Sequence, residues 1–205
     1  VGGRKIGLEF LTALGPAGIE KFVELGLPVF ADTKFHDIPN TVAGAAREIA
    51  KYGVAIFNIH ASGGEAMMRA AVEAVGRPRP KIIGVTVLTS LNDDDLKAIG
   101  QSVPADAQVI RLAKLAKLSG LDGVVCSPKE IRIVREACGP DFLIVTPGIR
   151  PAGSEVGDQR RVNTPGDALK AGSNILVIGR PITGAADPAA AAKAIAAEIA
   201  VAETA

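Results

Sequence analysis

The segment "VFADTKFHDIPNTV", Val29 to Val42, joins an apolar stretch to a cluster of charges. Its first three residues are apolar, as expected of a buried strand. Asp32, Lys34 and Asp37 follow at once, and then a proline precedes residues that favour the start of a helix. An apolar strand that ends in charges of both signs indicates a parallel α/β fold with functional residues at the strand ends.

Short apolar runs alternate with helical patterns along the rest of the chain. Seven runs are predicted to be strands: 4–7, 28–34, 54–60, 81–88, 121–127, 142–147 and 174–179. Several are apolar on both faces, which is typical of parallel strands covered by helices. Glycines predict the ends of four helices, at positions 26, 53, 120 and 172. Cap residues followed by proline predict the starts of three, at positions 127, 164 and 187.

Seven strands are one fewer than a (β/α)₈ TIM barrel has, and such barrels commonly have about 250 residues. The chain begins "VGGRKIGLEF", without an initiator methionine, and reaches a strand almost at once. The prediction is therefore a single barrel domain, residues 1–205, that lacks its first βα unit. A dinucleotide-binding sheet is not favoured, because no Gly-x-Gly-x-x-Gly motif follows the first strand.

Composition narrows the classes of function. The net charge of +1 predicts neither a nucleic-acid nor a membrane partner, and 3% aromatic residues without tryptophan argue against a base-stacking surface. Cys126 and Cys138 lack metal-ligand spacing and are predicted to be reduced thiols of a cytoplasmic protein. No signal peptide or apolar run of about 20 residues is present.

The charges that follow the strand have a definite chemical character. Asp32 and Lys34 are two residues apart, so a regular strand would place them on one face. With Lys5 from the preceding strand and Asp37 from the loop, they form a predicted array of alternating sign. A lysine held as ammonium by carboxylates is a poor Schiff-base nucleophile, but it can donate a proton and stabilise a carbanion. The alternative is a set of ion pairs that only closes the rim of the barrel.

These residues also carry a family resemblance. "DTKFHDIPNT", 32–41, resembles the Asp-x-Lys-x-x-Asp-Ile-Pro-x-Thr signature of the orotidine 5′-phosphate decarboxylases, and the bacterial form is the most similar. Further stretches match the family in the same order: "RKIGLEFLTALGP", "NIHASGG", "VTVLTS", "GLDGVVCS", "TPGIRPAGSEVGDQRR" and "VIGRPIT". The resemblance implies conversion of orotidine 5′-phosphate to UMP in pyrimidine biosynthesis, without a cofactor or a metal.

The resemblance also implies roles for the charged residues. Lys34 would protonate C6 of the pyrimidine after carbon dioxide leaves. Asp32 would lie beside the departing carboxylate, and Lys5 would hold Asp32 and the ribose hydroxyls. Asp37 would cross the interface of a homodimer into the neighbouring active site, together with Ile38 and Thr41.

The substrate-binding residues implied by the family come from later strands. Thr89 matches the position that contacts the pyrimidine. Gly179 and Arg180, at the end of the last strand, would bind the phosphate, as loops at that place in a barrel commonly do. The segment from Arg150 to residue 164 is rich in Gly, Pro and charge, and it would be a lid whose contacts are Arg150 and Gln159.

Three alternatives remain open at the level of sequence. A sugar-phosphate decarboxylase or hexulose-phosphate synthase of the same superfamily would use magnesium and would lack the Ile-Pro-Asn-Thr continuation at 38–41. A Schiff-base aldolase barrel is disfavoured by the carboxylates around Lys34. An inactive nucleotide-binding fragment is the third, because the family has a ribose-contacting aspartate before the position of Val1.

His36 and His60 are predicted to be structural, and Met67 and Met68 to pack in the core.

Overall fold

The computed structural model describes residues 1–101, 103–151 and 164–204. Within them, seven strands are present: β1 Arg4–Ile6, β2 Val29–Phe35, β3 Ile56–His60, β4 Lys81–Val85, β5 Gly123–Val125, β6 Leu143–Pro147 and β7 Ile175–Val177. The helices are α1 Leu8–Glu24, α2 Pro39–Lys51, α3 Gly64–Ala74, α4 Asp93–Ala98, α5 Ala105–Leu118, α6 Ile131–Cys138, α7 Pro165–Lys170, α8 Arg180–Thr183 and α9 Pro188–Thr204. Short 3₁₀ helices cover Ala61–Gly63 and Pro128–Glu130.

The strands form one sheet in sequential order, from β1 to β7. Neighbouring strands are parallel in the pairs β1–β2, β2–β3, β3–β4 and β6–β7. Each strand is followed by at least one helix, which is the alternation of a (β/α) barrel. All seven predicted strands are therefore confirmed, each within a few residues of its predicted bounds.

The local signals read from the sequence also have their predicted effects. Four glycines with positive φ follow helices α1, α2, α5 and α7: Gly26, Gly53, Gly120 and Gly172. The Thr164 hydroxyl accepts a hydrogen bond from the Asp167 N–H, and an Asp187 carboxylate oxygen accepts one from the Ala190 N–H. These contacts satisfy backbone groups that an uncapped helix would leave without partners.

The described residues pack as two compact units. The first unit comprises Gly2–Val85 and Leu112–Val124 and contains strands β1 to β4. Its buried core is made of large apolar side chains, among them Phe57, Ile59, Met67, Met68, Ile82 and Ile83. The predicted core positions of the two methionines are thus confirmed. The single-domain organisation stays a prediction.

The second unit comprises Val1, Thr86–Arg111 and Val125–Ala205 and contains β6 and β7. Its core includes Ile131, Ile144, Val145 and Ile149. The Arg135 guanidinium on α6 donates five hydrogen bonds of 2.7–2.9 Å across this unit. The acceptors are the carbonyl oxygens of Gly139, Pro140, Phe142 and Gly172 and the Oδ1 atom of Asn174.

Two further predictions concern environment. Cys126 and Cys138 are both buried thiols, in agreement with the prediction from their spacing. Burial raises the pKa of the Cys126 thiol far above its ordinary value, with a smaller contribution from the Glu130 charge, so this side chain is unreactive. Among the described residues, no helix has the length and apolar character that crossing a membrane requires.

Candidate active site

Three of the four predicted charged residues meet in the first unit. Lys5 Nζ on β1 lies 2.7 Å from Asp32 Oδ2, and Lys34 Nζ lies 2.6 Å from Asp32 Oδ1. Because β1 and β2 are parallel neighbours, residues near the ends of the two strands come side by side. The carboxylate of Asp32 is therefore shared between two lysines, one on each oxygen.

The side chain of Asp32 is 11% exposed, whereas the side chains of Lys5 and Lys34 are 33% and 28% exposed. Burial acts to raise the pKa of Asp32, but hydrogen bonds from Lys34, Lys5 and Asn58 together outweigh it, so the pKa is lowered. Asp32 is consequently a carboxylate at neutral pH, and the part-exposed lysine heads remain able to contact a ligand.

The charge of this cluster suits an anionic transition state. Two ammonium groups and one carboxylate give a formal sum of +2 − 1 = +1. Fixed positive charge in a partly desolvated place stabilises negative charge that develops during a reaction. The carboxylate of Asp32, in turn, would repel a second carboxylate brought next to it.

The end of β2 differs from the regular strand that the sequence predicted. Ala31 is opposite Phe57 of β3, but the next paired residue is Phe35, opposite Ile59. Three residues of β2 therefore lie against one of β3, and Lys34 has a φ of +50°. Asp32 and Lys34 do meet, but a local irregularity of β2, and not simple strand alternation, accompanies their contact.

Asn58 is the residue that the sequence analysis missed. It is 1% exposed on β3, its Nδ2 donates to Asp32 Oδ1 at 2.7 Å, and its Oδ1 accepts from the Lys34 backbone N–H at 2.7 Å. The Thr33 hydroxyl donates to the Asn58 carbonyl oxygen, also at 2.7 Å. The available signal was a single amide side chain inside the otherwise apolar run "AIFNI", since a buried polar residue is informative.

The fourth predicted charge lies outside the cluster. Asp37 is exposed, and its Oδ1 accepts a hydrogen bond from the Ile38 N–H. Ile38 precedes helix α2 and is 67% exposed, and Thr41 is exposed in the first turn of that helix. Within this chain the predicted array of four charges is therefore a cluster of three. Asp37, Ile38 and Thr41 lie in an exposed segment that follows β2.

The remaining predicted binding residues belong to the second unit. Thr89 is part-buried after β4, and Arg150 is part-buried with its guanidinium donating to the Ile149 carbonyl oxygen. Gly179 and Arg180 are exposed, and Gly179 caps the short helix α8. Gln159 and most of the predicted lid lie outside the described residues.

The two histidines lie close to each other beside the cluster. The rings of His36 and His60 are stacked, with centroids 5.4 Å apart. Burial lowers the pKa of His60, the charges of His36 and Lys34 lower it further, and the Asp32 carboxylate opposes them. His60 is therefore predominantly neutral at pH 7. In the described part of the chain, no group of three or more His, Cys, Asp or Glu side chains is arranged to hold a metal ion.

Comparison with known proteins places this geometry in a family. The model of the "Orotidine 5′-phosphate decarboxylase / HUMPS family" matches residues 3–195. The chain belongs to this family. The resemblance first seen in the segment 32–41 is therefore confirmed over almost the whole chain, and with it the (β/α) barrel class.

Individual members of the orotidine 5′-phosphate decarboxylase / HUMPS family are closely similar. An orotidine 5′-phosphate decarboxylase of Moorella thermoacetica is 60% identical over 203 residues, which are 95% of this chain and 81% of that protein. One from Paramagnetospirillum magneticum is 55% identical over 206 residues, or 97% and 88% of the two chains. The crystal structure of the Lactobacillus acidophilus enzyme superposes with a TM-score of 0.84 at 42% identity, over 95% of this chain and 85% of that one.

Proposed function

We propose that this protein is an orotidine 5′-phosphate decarboxylase that produces UMP for pyrimidine biosynthesis. The family includes the orotidine 5′-phosphate decarboxylases and the HUMPS proteins. The relatives at 55–60% identity are named orotidine 5′-phosphate decarboxylase, which supports the first of these two activities. The observation that carries the proposal is the Asp32 carboxylate held between Lys5 and Lys34. It combines a group that repels the substrate carboxylate with an ammonium that can deliver a proton.

The proposed reaction uses these side chains and solvent water. The bond between C6 and the substrate carboxylate breaks, carbon dioxide leaves, and the electron pair stays on C6. The cluster's net positive charge stabilises that carbanion, and Lys34 Nζ transfers one proton to C6. Water then returns a proton to Lys34. Asp32 lies beside the departing carboxylate in this scheme, and Lys5 keeps Asp32 in place and binds the ribose hydroxyls.

Further residues are proposed to bind the substrate. Thr89 would contact the pyrimidine, Gly179 and Arg180 the phosphate, and Arg150 and Gln159 the closed form of a lid. Binding energy from the phosphate would then help to assemble the site around the reacting atoms. These assignments rest on the positions that match the family's motifs.

A homodimer with shared active sites is the proposed assembly. Support comes from Ile38, whose large apolar side chain is 67% exposed next to the exposed carboxylate of Asp37. Such a segment is suited to contact a second copy of the chain, and Asp37 and Thr41 would contribute to the active site of that copy.

The cytoplasm is the proposed location, supported by the buried thiols Cys126 and Cys138.

The test is the loss of orotidine 5′-phosphate absorbance when the chain is added in metal-free buffer, with a UMP-binding titration in parallel. Turnover is the expected result. Activity that requires added magnesium, on a sugar phosphate and not on the nucleotide, would move the protein to the sugar-phosphate branch. Binding of UMP without turnover would identify an inactive nucleotide-binding protein.

A further inference from the structure

The backbone at Lys34 adopts a conformation that needs support. Residues with a Cβ rarely take positive φ, because the left-handed region costs about 1–2 kcal/mol for L-amino acids other than glycine. Lys34 has a φ of +50°, and among the described residues it is the one non-glycine residue with positive φ. Backbone strain of this kind persists only where surrounding contacts over-determine it.

Asn58 makes the contacts that meet this need. Its amide binds the Lys34 backbone N–H through Oδ1 and the Asp32 carboxylate through Nδ2, each at 2.7 Å. Asp32 Oδ1 is also the atom that accepts from Lys34 Nζ. One side chain on β3 therefore holds both the main chain of the lysine and the carboxylate that the lysine contacts.

The orientation of the amide follows from the chemistry of its partners. A backbone N–H can only donate, so the oxygen of Asn58 must face Lys34. An ionised carboxylate can only accept, so the nitrogen must face Asp32. Of the side chains that are similar in size to asparagine, aspartate lacks the donor and would bring a second carboxylate against Asp32. Leucine would deprive the Lys34 N–H of its acceptor and Asp32 Oδ1 of one of its donors.

We propose that Asn58 is a positioning residue for the decarboxylation: it fixes the left-handed backbone of Lys34 and the carboxylate of Asp32 so that Lys34 Nζ and Asp32 are presented together to the substrate. This inference rests on the proposed function. It assigns to β3 a part in a constellation whose charged members all come from β1 and β2. Asn58 contacts no reacting atom and acts through its two neighbours.

The experiment compares Asn58→Asp and Asn58→Ala with the unsubstituted chain and with Asn92→Asp. Asn92 is the exposed N-cap residue of α4, and aspartate is also a favoured N-cap residue. This control therefore makes the same chemical change at a position outside the charged cluster. We expect kcat to decrease at least about 100-fold in both Asn58 variants, because a shift of a catalytic group by about 1 Å can have that effect. UMP affinity is expected to change by less than about 5-fold, since phosphate and base contacts are unaffected. Asn92→Asp should match the parent.

A structural role alone gives a different pattern. Fewer molecules would be folded, but kcat per folded molecule and KM would both equal those of the parent. This result would overturn the proposal. If Asn58→Asp does not fold, Asn58→Ser is smaller and uncharged and carries the same test.

A second measurement separates this inference from the proposed function. The Asp32 carboxyl is titrated by NMR in ¹³C-aspartate-labelled protein, with and without Asn58→Ala. Loss of the Nδ2 donor should raise the Asp32 pKa, because hydrogen bonds to the ionised form lower it. An unchanged titration would overturn the positioning role even in a chain that turns over substrate. A raised pKa in a chain without turnover would instead support the hydrogen bond from Asn58 to Asp32 and refute the proposed function.

Discussion

Lys34 Nζ contacts Asp32 Oδ1 at 2.6 Å from a backbone that has left the regular strand geometry, with φ at +50°. A lysine two residues after an aspartate could reach it from an ordinary strand face only by bending along the strand. Here the irregular end of β2 accompanies the contact, and Asn58 binds both residues. The site is thus built from main-chain conformation as much as from side-chain identity.

Lys34→Ala should reduce turnover of orotidine 5′-phosphate by at least about 100-fold, because the proton donor is lost. UMP binding should persist, since other residues hold the phosphate and the base. Stopped-flow or steady-state absorbance with a parallel UMP titration measures both. The control is Lys51→Ala, which removes a lysine from a surface ion pair with Glu48. Retention of the parent rate by Lys34→Ala would exclude it as the proton donor.

Lys34→Gly should be more stable than Lys34→Ala by about 1 kcal/mol, because glycine adopts positive φ without the cost that a Cβ imposes. The same pair at Lys114, an exposed residue within helix α5, should show the opposite order by a similar amount. Urea unfolding of the four variants measures the differences. If glycine were less stable than alanine at both positions, the backbone of Lys34 would not be strained in solution.

Asp32 should contribute stability above pH 3.8 that is lost in acid. Its pKa is lowered in the folded state, so below the ordinary value of 3.8 the unfolded chain binds more protons, and folding weakens as pH falls towards the folded-state pKa. The difference in unfolding free energy between the parent and Asp32→Asn should therefore shrink as the pH falls below 3.8 towards the folded-state pKa. Asp94→Asn, at a 90% exposed side chain, is the matched control for the loss of one carboxylate.

His60 should make the fold sensitive to mild acid. Its pKa is lowered from 6.5, chiefly by burial, so between the folded-state pKa and 6.5 the unfolded chain binds more protons and stability decreases as pH falls. Imidazole titration by NMR is simple here because the chain has only two histidines. His36→Gln should raise the His60 pKa, since it removes an electrostatic interaction that lowers it. A His60 pKa at or above 6.5 in the parent would contradict this arrangement.

Arg135→Met should destabilise the protein by at least about 2 kcal/mol, because carbonyl groups in part-buried places lose their donor. Arg132→Met on the exposed face of the same helix is the matched control, with an expected change within about 0.5 kcal/mol. Urea unfolding of the full chain measures both. Similar values for the two variants would mean that the five hydrogen bonds of Arg135 contribute little.

The fold was largely predictable because its signals are local. Apolar runs, helix caps such as Thr164 and glycines such as Gly172 act within a few residues of themselves, and each had the expected effect. The meeting of Lys5 with Asp32 was also predictable, because parallel neighbouring strands align their ends.

Asn58 and the conformation of Lys34 were not predictable in this way. Both depend on how three residues of β2 pack against one of β3, which is a property of two segments 24 residues apart and not of either alone. Lysine carries no propensity for positive φ that would indicate it. Asp37 lies in the loop after β2, outside the cluster of its own chain, and its place in a neighbouring active site stays a prediction.

The left-handed backbone at position 34 has a consequence for laboratory evolution of this protein. A library randomised at this codon and screened only for thermal tolerance should enrich glycine, whereas a screen for complementation of a pyrimidine-requiring strain should return lysine alone. Sequences recovered by the two screens would diverge at the same codon. Position 34 would then record which of the two pressures a lineage had experienced.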